Sequence, residues 1–157
     1  MSIKIELAKA LSANAHEGQK YGVYDYFLHI EDVVERVYEF TKDFPWEKKE
    51  QCIIVAYLHD VLEDSGVFSD TILNLFGSRI HHAVLMLSKS YCYTIDGDIL
   101  RTRPREYLKY IQDIRSDEVA LIVKVCDTYS NLEASLRDND YKRIKKYNNQ
   151  VTLLEMP

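Results

Sequence analysis

Residues 58–64 read Leu58-His59-Asp60-Val61-Leu62-Glu63-Asp64 and hold the densest group of potential metal ligands and acids in the 157-residue chain. The segment follows an apolar run that predicts a buried helix ending near Glu63. On one helix, positions i and i+4 share a face, so His59 is expected beside Glu63 and Asp60 beside Asp64. An imidazole and three carboxylates are costly to bury together unless a cation organises them. The pattern therefore predicts a divalent metal at this helix end.

Two further side chains complete a candidate ligand set. His29 begins a second predicted helix, and Asp127 follows the apolar run 119–126, where an isolated acid would be unfavourable. The expected metal ligands are thus His29, His59, Asp60 and Asp127. Two imidazoles and two carboxylates suit Mn²⁺, Fe²⁺ or Zn²⁺ with coordination positions left open for water. Such a cation lowers the pKa of a bound water and polarises a phosphoryl oxygen.

The rest of the sequence favours an all-α fold in a single domain covering residues 1–157. Only five glycines and three prolines interrupt the chain, and alternating apolar and polar runs are few. Residues 17–28 and 91–102 are predicted loops, the second with a turn at Asp96-Gly97. Apolar periodicity predicts helices over residues 3–16, 29–42, 45–63, 69–77, 78–90, 104–114, 117–136 and 140–154.

The composition of the chain argues against nucleic-acid-binding, disulfide-rich and membrane-spanning proteins. A net charge of −5 argues against binding to nucleic acid polymers. The three cysteines form no CxxC pair, which argues against a disulfide framework or a cysteine zinc site. The first ten residues lack the apolar core of a signal peptide, and no apolar run is long enough for a membrane span. We expect a soluble cytoplasmic protein that binds a small molecule, with a homodimer as one assembly to consider.

Several motifs, taken in order along the chain, resemble one known family. They are residues 15–19 (Ala-His-Glu-Gly-Gln), 26–29 (Tyr-Phe-Leu-His), 58–64, Phe76-Gly77, 87–89 (Leu-Ser-Lys), 105–107 (Arg-Glu-Tyr), and 122–127 with Asn131. In this order they resemble the HD superfamily of metal-dependent phosphohydrolases. Within it, the chain is most similar to the hydrolase domain of RelA/SpoT-type alarmone enzymes and to single-domain small alarmone hydrolases. The resemblance runs nearly from end to end.

The resemblance implies an HD-type helical bundle that removes the 3′-pyrophosphate of guanosine tetra- or pentaphosphate. It implies Mn²⁺ at the four ligands named above, with water activated by the cation attacking a nucleotide phosphate. Glu63 is expected to position and deprotonate that water, and Asp64 to orient it or assist proton transfer, although the two roles could be exchanged. The candidate substrate-binding residues are Lys20, Tyr21, Lys89, Arg105, Lys124 and Asn131.

Two departures from the family pattern keep other functions open. Lys20-Tyr21 stands where the family has an Arg-Lys pair, and residues 128–130 (Thr-Tyr-Ser) depart from the family's Arg-x-His. Tyr21, Tyr24 or Tyr26 could stack on a base instead. The substrate could therefore be another nucleotide (the 2′-phosphate of NADPH, a dNTP or a 5′-nucleotide), or the chain could be a non-catalytic nucleotide-sensing HD module.

Two further features of the sequence, His16 and the basic run 142–146, also have a purely structural explanation. His16 could orient a metal ligand or simply cap a helix. The basic run 142–146 is predicted to be a solvated helix face.

Overall fold

Helices make up most of the computed structural model, which describes residues 2–157. Two short antiparallel pairs accompany them: β1 (Lys20–Tyr21) with β2 (Tyr24–Asp25), and β3 (Cys92–Ile95) with β4 (Asp98–Arg101). The all-α prediction is confirmed. The helices in the described residues are α1 (Ile3–Ala15), α2 (Tyr26–Phe40), α3 (Trp46–Leu58), α4 (Val61–Asp64), α5 (Ser69–Phe76), α6 (Ser78–Leu87), α7 (Tyr107–Arg115), α8 (Glu118–Arg137) and α9 (Tyr141–Glu155).

Helix α3 lies at the centre of the core. Its residues from Cys52 to Leu58 are all buried, and it packs against α1, α2, α6 and α8. A helix that is apolar on all sides must be covered on all sides, which is why the run 52–56 predicts this central position. In residues 2–157 no helix combines the length and the apolar character needed to cross a membrane.

An aspartate caps the N-terminus of α8 and another caps that of α9. The Asp117 carboxylate accepts the amide of Ala120 at 3.0 Å, and that of Asp140 accepts the amide of Arg143 at 3.1 Å. These bonds satisfy amides that have no acceptor inside the helix. The predicted starts at Asp117 and Asp140 are confirmed, and α8 packs between α2, α3 and α9.

The prediction of one continuous helix through residue 63 is wrong, because the helix breaks before Glu63 and Asp64. Helix α3 ends at Leu58, and α4 begins at Val61 after two non-helical residues. The Nδ1 of His59 donates to the carbonyl of Ala56 at 2.6 Å, and that carbonyl is the one the amide of residue 60 would use in a continuous helix. His59 and Glu63 therefore do not share one continuous helix face.

The segment 91–102 forms a β-hairpin instead of a loop. Strands β3 and β4 pair around a turn in which Asp96 has φ 52° and Gly97 has φ 84°. Two positive φ angles in succession are the mark of a tight hairpin turn, so the turn predicted at Asp96-Gly97 is confirmed. The strands escaped prediction because β4 is exposed along its whole length and shows no apolar alternation.

Candidate active site

Three helices bring His29, His59 and Asp127 together in the core. His29 lies in α2, His59 follows α3, and Asp127 lies in α8, and all three are buried. One donor atom from each falls in a group whose members lie within 4.8 Å of one another. The Nε2 of His29 lies 3.0 Å from Oδ1 of Asp127, and the Nε2 of His59 lies 3.5 Å from the same oxygen. Residues almost 100 positions apart thus converge as the sequence predicts.

Asp60 lies at the edge of this group and not within the 4.8 Å set. Its Oδ2 is 3.1 Å from Nε2 of His59 and accepts the hydroxyl of Tyr26 at 2.5 Å. Burial raises the pKa of Asp60, but the neighbouring His59 outweighs burial and holds this pKa below its usual range. The sequence predicts only a stacking role for the Tyr26 ring, and the contact of its hydroxyl with Asp60 appears only in the structure.

The geometry of His59 fits a cation. Because its Nδ1 donates to the carbonyl of Ala56, the neutral ring presents the lone pair of Nε2 to the carboxylates. This buried Nε2 makes no hydrogen bond of acceptable geometry within residues 2–157. Burial lowers the pKa of His59, but the carboxylates of Asp60 and Asp127 outweigh it and hold this pKa well above its ordinary value. The surroundings thus favour positive charge at this point, and the donor set suits a divalent metal.

Two side chains of α8 hold the Asp127 carboxylate in place. Its Oδ2 accepts Nζ of Lys124 at 2.8 Å, and its Oδ1 accepts Nδ2 of Asn131 at 2.9 Å. Burial raises the pKa of Asp127, but Lys124 and the two histidines hold it well below its usual range. Lys124 and Asn131, both expected to bind substrate, are therefore partly engaged in fixing a ligand carboxylate.

A cavity of about 240 Å³ opens above these ligands. Both acids and amines line its wall. The acids that reach it besides the ligand group are Glu63 and Asp64, and the amines are Lys89, Lys124 and Lys146. Amines beside a candidate metal site can attract a multiply charged anion.

The two acids of α4 are held by their neighbours. Oε2 of Glu63 accepts the amide of Lys89 at 3.1 Å, and the carbonyl of Glu63 accepts Nη2 of Arg101 at 3.3 Å. Partial desolvation, together with the carboxylates of Asp60 and Glu63, raises the pKa of Asp64 to about 6. The pair therefore combines an oriented carboxylate with one that binds a proton more readily than an ordinary aspartate.

Of the two roles that the sequence left open for His16, the structure shows the position at a helix end, and His16 makes no hydrogen bond to a candidate metal ligand within residues 2–157. It ends α1, and its Nδ1 bonds Oε1 of Gln19 at 2.9 Å. The amide of Gln19 then donates to the carbonyl of Asp64 at 2.7 Å. The chain after α1 is thereby tied to the C-terminal end of α4.

Two predicted substrate residues do not reach the cavity. Nη2 of Arg105 donates to the carbonyls of Leu85, Met86 and Ser88 at 2.6–2.8 Å, and its Nη1 pairs with Asp113. The hydrogen bonds of this guanidinium hold the end of α6. The sequence predicts that Arg105 contacts the substrate, and the structure instead gives it a structural role. Lys20 pairs with Asp25 across the β1–β2 hairpin and lines a neighbouring groove.

Tyr21 reaches the cavity, but it is already engaged there. Its ring stacks on His29 with centroids 4.8 Å apart and an interplanar angle of 5°. Its hydroxyl donates to Oδ1 of Asn131 at 2.7 Å and accepts Nη2 of Arg143 at 2.6 Å. One face of this ring is therefore unavailable for stacking on a base.

Helix α9 contributes residues that the sequence analysis missed. Lys146, Tyr147 and Gln150 line the cavity, and Arg143 contacts Tyr21. The prediction that residues 142–146 form a solvated face holds for Lys146, which is exposed although it also lines the cavity, but is wrong for Arg143, which is half-buried against Tyr21. Residues 143, 146, 147 and 150 follow the three- and four-residue spacing of a helix and so lie on one face of α9. The spacing is hard to recognise in the sequence, because basic residues occupy the other faces of this helix as well.

Comparison with solved structures finds a metazoan ortholog of SpoT that hydrolyses ppGpp and plays a role in starvation responses. The match has a TM-score of 0.73 and covers 99% of this chain and 88% of that one, at 18% sequence identity. The chain has the fold of that hydrolase. The HD-type resemblance read from the motifs is confirmed at the level of fold. No protein-family model matches the sequence, and no curated protein matches it.

Proposed function

We propose that the chain is a metal-dependent phosphohydrolase that removes the 3′-pyrophosphate of guanosine 3′,5′-bis(diphosphate). The observation that carries the proposal is the meeting of His29, His59 and Asp127 beside Glu63 and Asp64 in one cavity. The fold shared with a ppGpp hydrolase supports the choice of substrate.

The proposed ligands of one divalent cation, with Mn²⁺ favoured, are His29, His59, Asp60 and Asp127. When bound, such a cation polarises a phosphoryl oxygen and lowers the pKa of a water. Lys124 and Asn131 keep the Asp127 carboxylate in place for this task.

Glu63 and Asp64 are the proposed proton-transfer pair. The amide of Lys89 occupies Oε2 of Glu63, which leaves Oε1 to take the proton from the attacking water. Asp64, whose pKa is raised to about 6, orients that water or passes the proton on. The two carboxylates could exchange these roles, because both line the same cavity.

The amines of the cavity wall are proposed to hold the substrate phosphates. Lys89, Lys124 and Lys146 line the cavity, and the amine of Lys124 is also paired with Asp127. These charges offset the negative charge that develops on the phosphoryl oxygens during transfer. Lys20 lies in the adjoining groove, where the nucleoside half of a substrate could extend.

An activity screen with Mn²⁺ tests this proposal. The substrates are guanosine tetraphosphate, NADPH, dNTPs and 5′-monophosphates, and the products are separated by ion-exchange chromatography. We expect pyrophosphate and GDP from the tetraphosphate. Inorganic phosphate from NADPH or a 5′-nucleotide, with the tetraphosphate untouched, would contradict the proposed substrate.

A second candidate is hydrolysis of another nucleotide by the same centre. It is favoured by the engagement of Asn131, whose amide contacts Asp127 and whose oxygen accepts Tyr21. The resemblance implies a nucleotide contact for this asparagine, and here Tyr21 competes for it. Nucleotide binding without any turnover would instead identify a sensing module.

A further inference from the structure

A buried hydrogen-bond relay runs from His29 to the protein surface. His29 and Asp32 lie one helical turn apart on α2, and Asp127 and Ser130 lie one turn apart on α8. The two pairs face each other across the interface of these helices. Oγ of Ser130 lies 3.2 Å from Nδ1 of His29 and donates to Oδ2 of Asp32 at 2.5 Å.

The direction of these bonds places a hydrogen on Nδ1 of His29. A carboxylate only accepts, so the single hydroxyl hydrogen of Ser130 goes to Asp32. Ser130 can then only accept from His29, whose Nδ1 must donate. The other ring nitrogen, Nε2, lies 3.0 Å from Oδ1 of Asp127, on the side of the proposed cation, to which it would present its lone pair.

The outer end of the relay is itself held by charge. Nε of Arg36 donates to Oδ2 of Asp32 at 3.0 Å, and Nη2 of Arg36 donates to Glu133 at 2.5 Å. The Asp32 carboxylate thus keeps a fixed position while remaining partly open to solvent. None of these outer groups reaches the cavity, since neither Asp32 nor Ser130 is part of its wall.

We infer that Asp32 and Ser130 are positioning residues that fix the orientation and tautomer of His29 for metal binding. The inference rests on the proposed function. A metal-bound histidine gains from a partner on its second nitrogen, which fixes the ring and makes the free nitrogen a stronger electron-pair donor. In this chain a serine connects the histidine to the carboxylate, where a direct bond is the more usual arrangement.

Mn²⁺ affinity of the full chain tests the inference directly. Isothermal titration with Mn²⁺ alone is run on wild type, Ser130→Ala, Ser130→Thr and Asp32→Asn. Loss of such a partner weakens metal binding by roughly 10–100-fold, and we expect this for Ser130→Ala and Asp32→Asn. Ser130→Thr keeps a hydroxyl and should bind within a few-fold of wild type.

A matched control and a double variant separate the relay from general damage. Ser135 is also buried on α8, but its hydroxyl bonds only the carbonyl of Asn131. Ser135→Ala should retain wild-type Mn²⁺ affinity, with a metal-free melting temperature like that of Ser130→Ala. Adding Asp32→Asn to Ser130→Ala should weaken binding little further, because the relay is already cut.

The outcomes distinguish this inference from the proposed function. Wild-type affinity in Ser130→Ala, or full additivity of the two substitutions, would overturn the inference and leave the metal centre standing. Failure of the wild-type chain to bind Mn²⁺ would overturn both.

Discussion

At the scale of single residues, Glu63 is where proton transfer can be separated from metal binding. Glu63→Gln keeps an oxygen that can accept the amide of Lys89, so the side chain can stay in place. An amide cannot take a proton from water, and we expect kcat to fall by about 100- to 10,000-fold. Metal content, measured by mass spectrometry of dialysed protein, should not change.

The control for Glu63 is Glu17→Gln, the same substitution at an exposed loop position. It should retain full activity. If Glu63→Gln turned over at the wild-type rate, the proton would have to go to another group, and Asp64 would be the next candidate.

Asp127 is the residue on which metal binding and activity should be lost together. Asp127→Asn halves the oxygen donors that face His29 and His59 and leaves Lys124 without its ion-pair partner. We expect no measurable Mn²⁺ binding in equilibrium dialysis and no turnover. His82→Ala, at an exposed histidine, should affect neither. An Asp127→Asn protein that folds and still binds Mn²⁺ would remove Asp127 from the ligand set.

Residue types and their order were sufficient to predict the buried ligand group, because acids and imidazoles beside apolar runs need a compensating partner. The same reasoning failed for Arg105, whose role depends on three carbonyls that come together at the end of α6. Free carbonyls exist only once a helix end is folded, so the sequence offers no local signal for them. The hydroxyl of Tyr26 on Asp60 is similar, since it depends on how α2 meets the end of α3.

At the scale of elements, Gly77 connects α5 to α6 in a backbone conformation that suits glycine. Its φ is 85° and its ψ is 172°, and a Cβ placed there would meet no atom within 4 Å. A side chain at position 77 would therefore destabilise the fold through backbone strain and not through a steric clash. We expect Gly77→Ala to lower the free energy of unfolding by about 1–3 kcal/mol, measured by urea denaturation.

Gly66 provides a matched comparison for Gly77. A Cβ at Gly66 also meets nothing, but this residue has no positive φ. Gly66→Ala should therefore leave stability unchanged or raise it slightly, by about 0.4–1 kcal/mol. Equal losses at both glycines would contradict the strain argument.

The elements that the sequence predicts well are those whose signals are local. The helices α8 and α9 are located by their caps at Asp117 and Asp140, and α3 is located by its apolar run 52–56. The break after Leu58 has another origin, since the side chain of His59 takes the Ala56 carbonyl from the helix. This bond depends on the folded surroundings of His59, so the helix propensities of the neighbouring residues do not predict the break.

At the scale of the whole molecule, the proposed cation connects three helices that are distant in sequence. His29, His59 and Asp127 lie on or next to α2, α3 and α8, which pack pairwise against one another. In the unfolded chain these ligands are far apart, so a cation binds the folded state almost exclusively. Binding therefore stabilises the fold by mass action.

The stabilisation can be read from the melting temperature. At a free Mn²⁺ concentration of 100 times Kd, the gain is about 2.7 kcal/mol, and for a chain of this size that corresponds to a rise of roughly 5–10 °C. Differential scanning calorimetry with Mn²⁺ and with EDTA measures this rise, and Asp127→Asn should show none of it. A wild-type melting temperature that is the same in Mn²⁺ and in EDTA would mean that the three helices meet without a metal, and that the positive charge favoured at His59 is supplied by a proton.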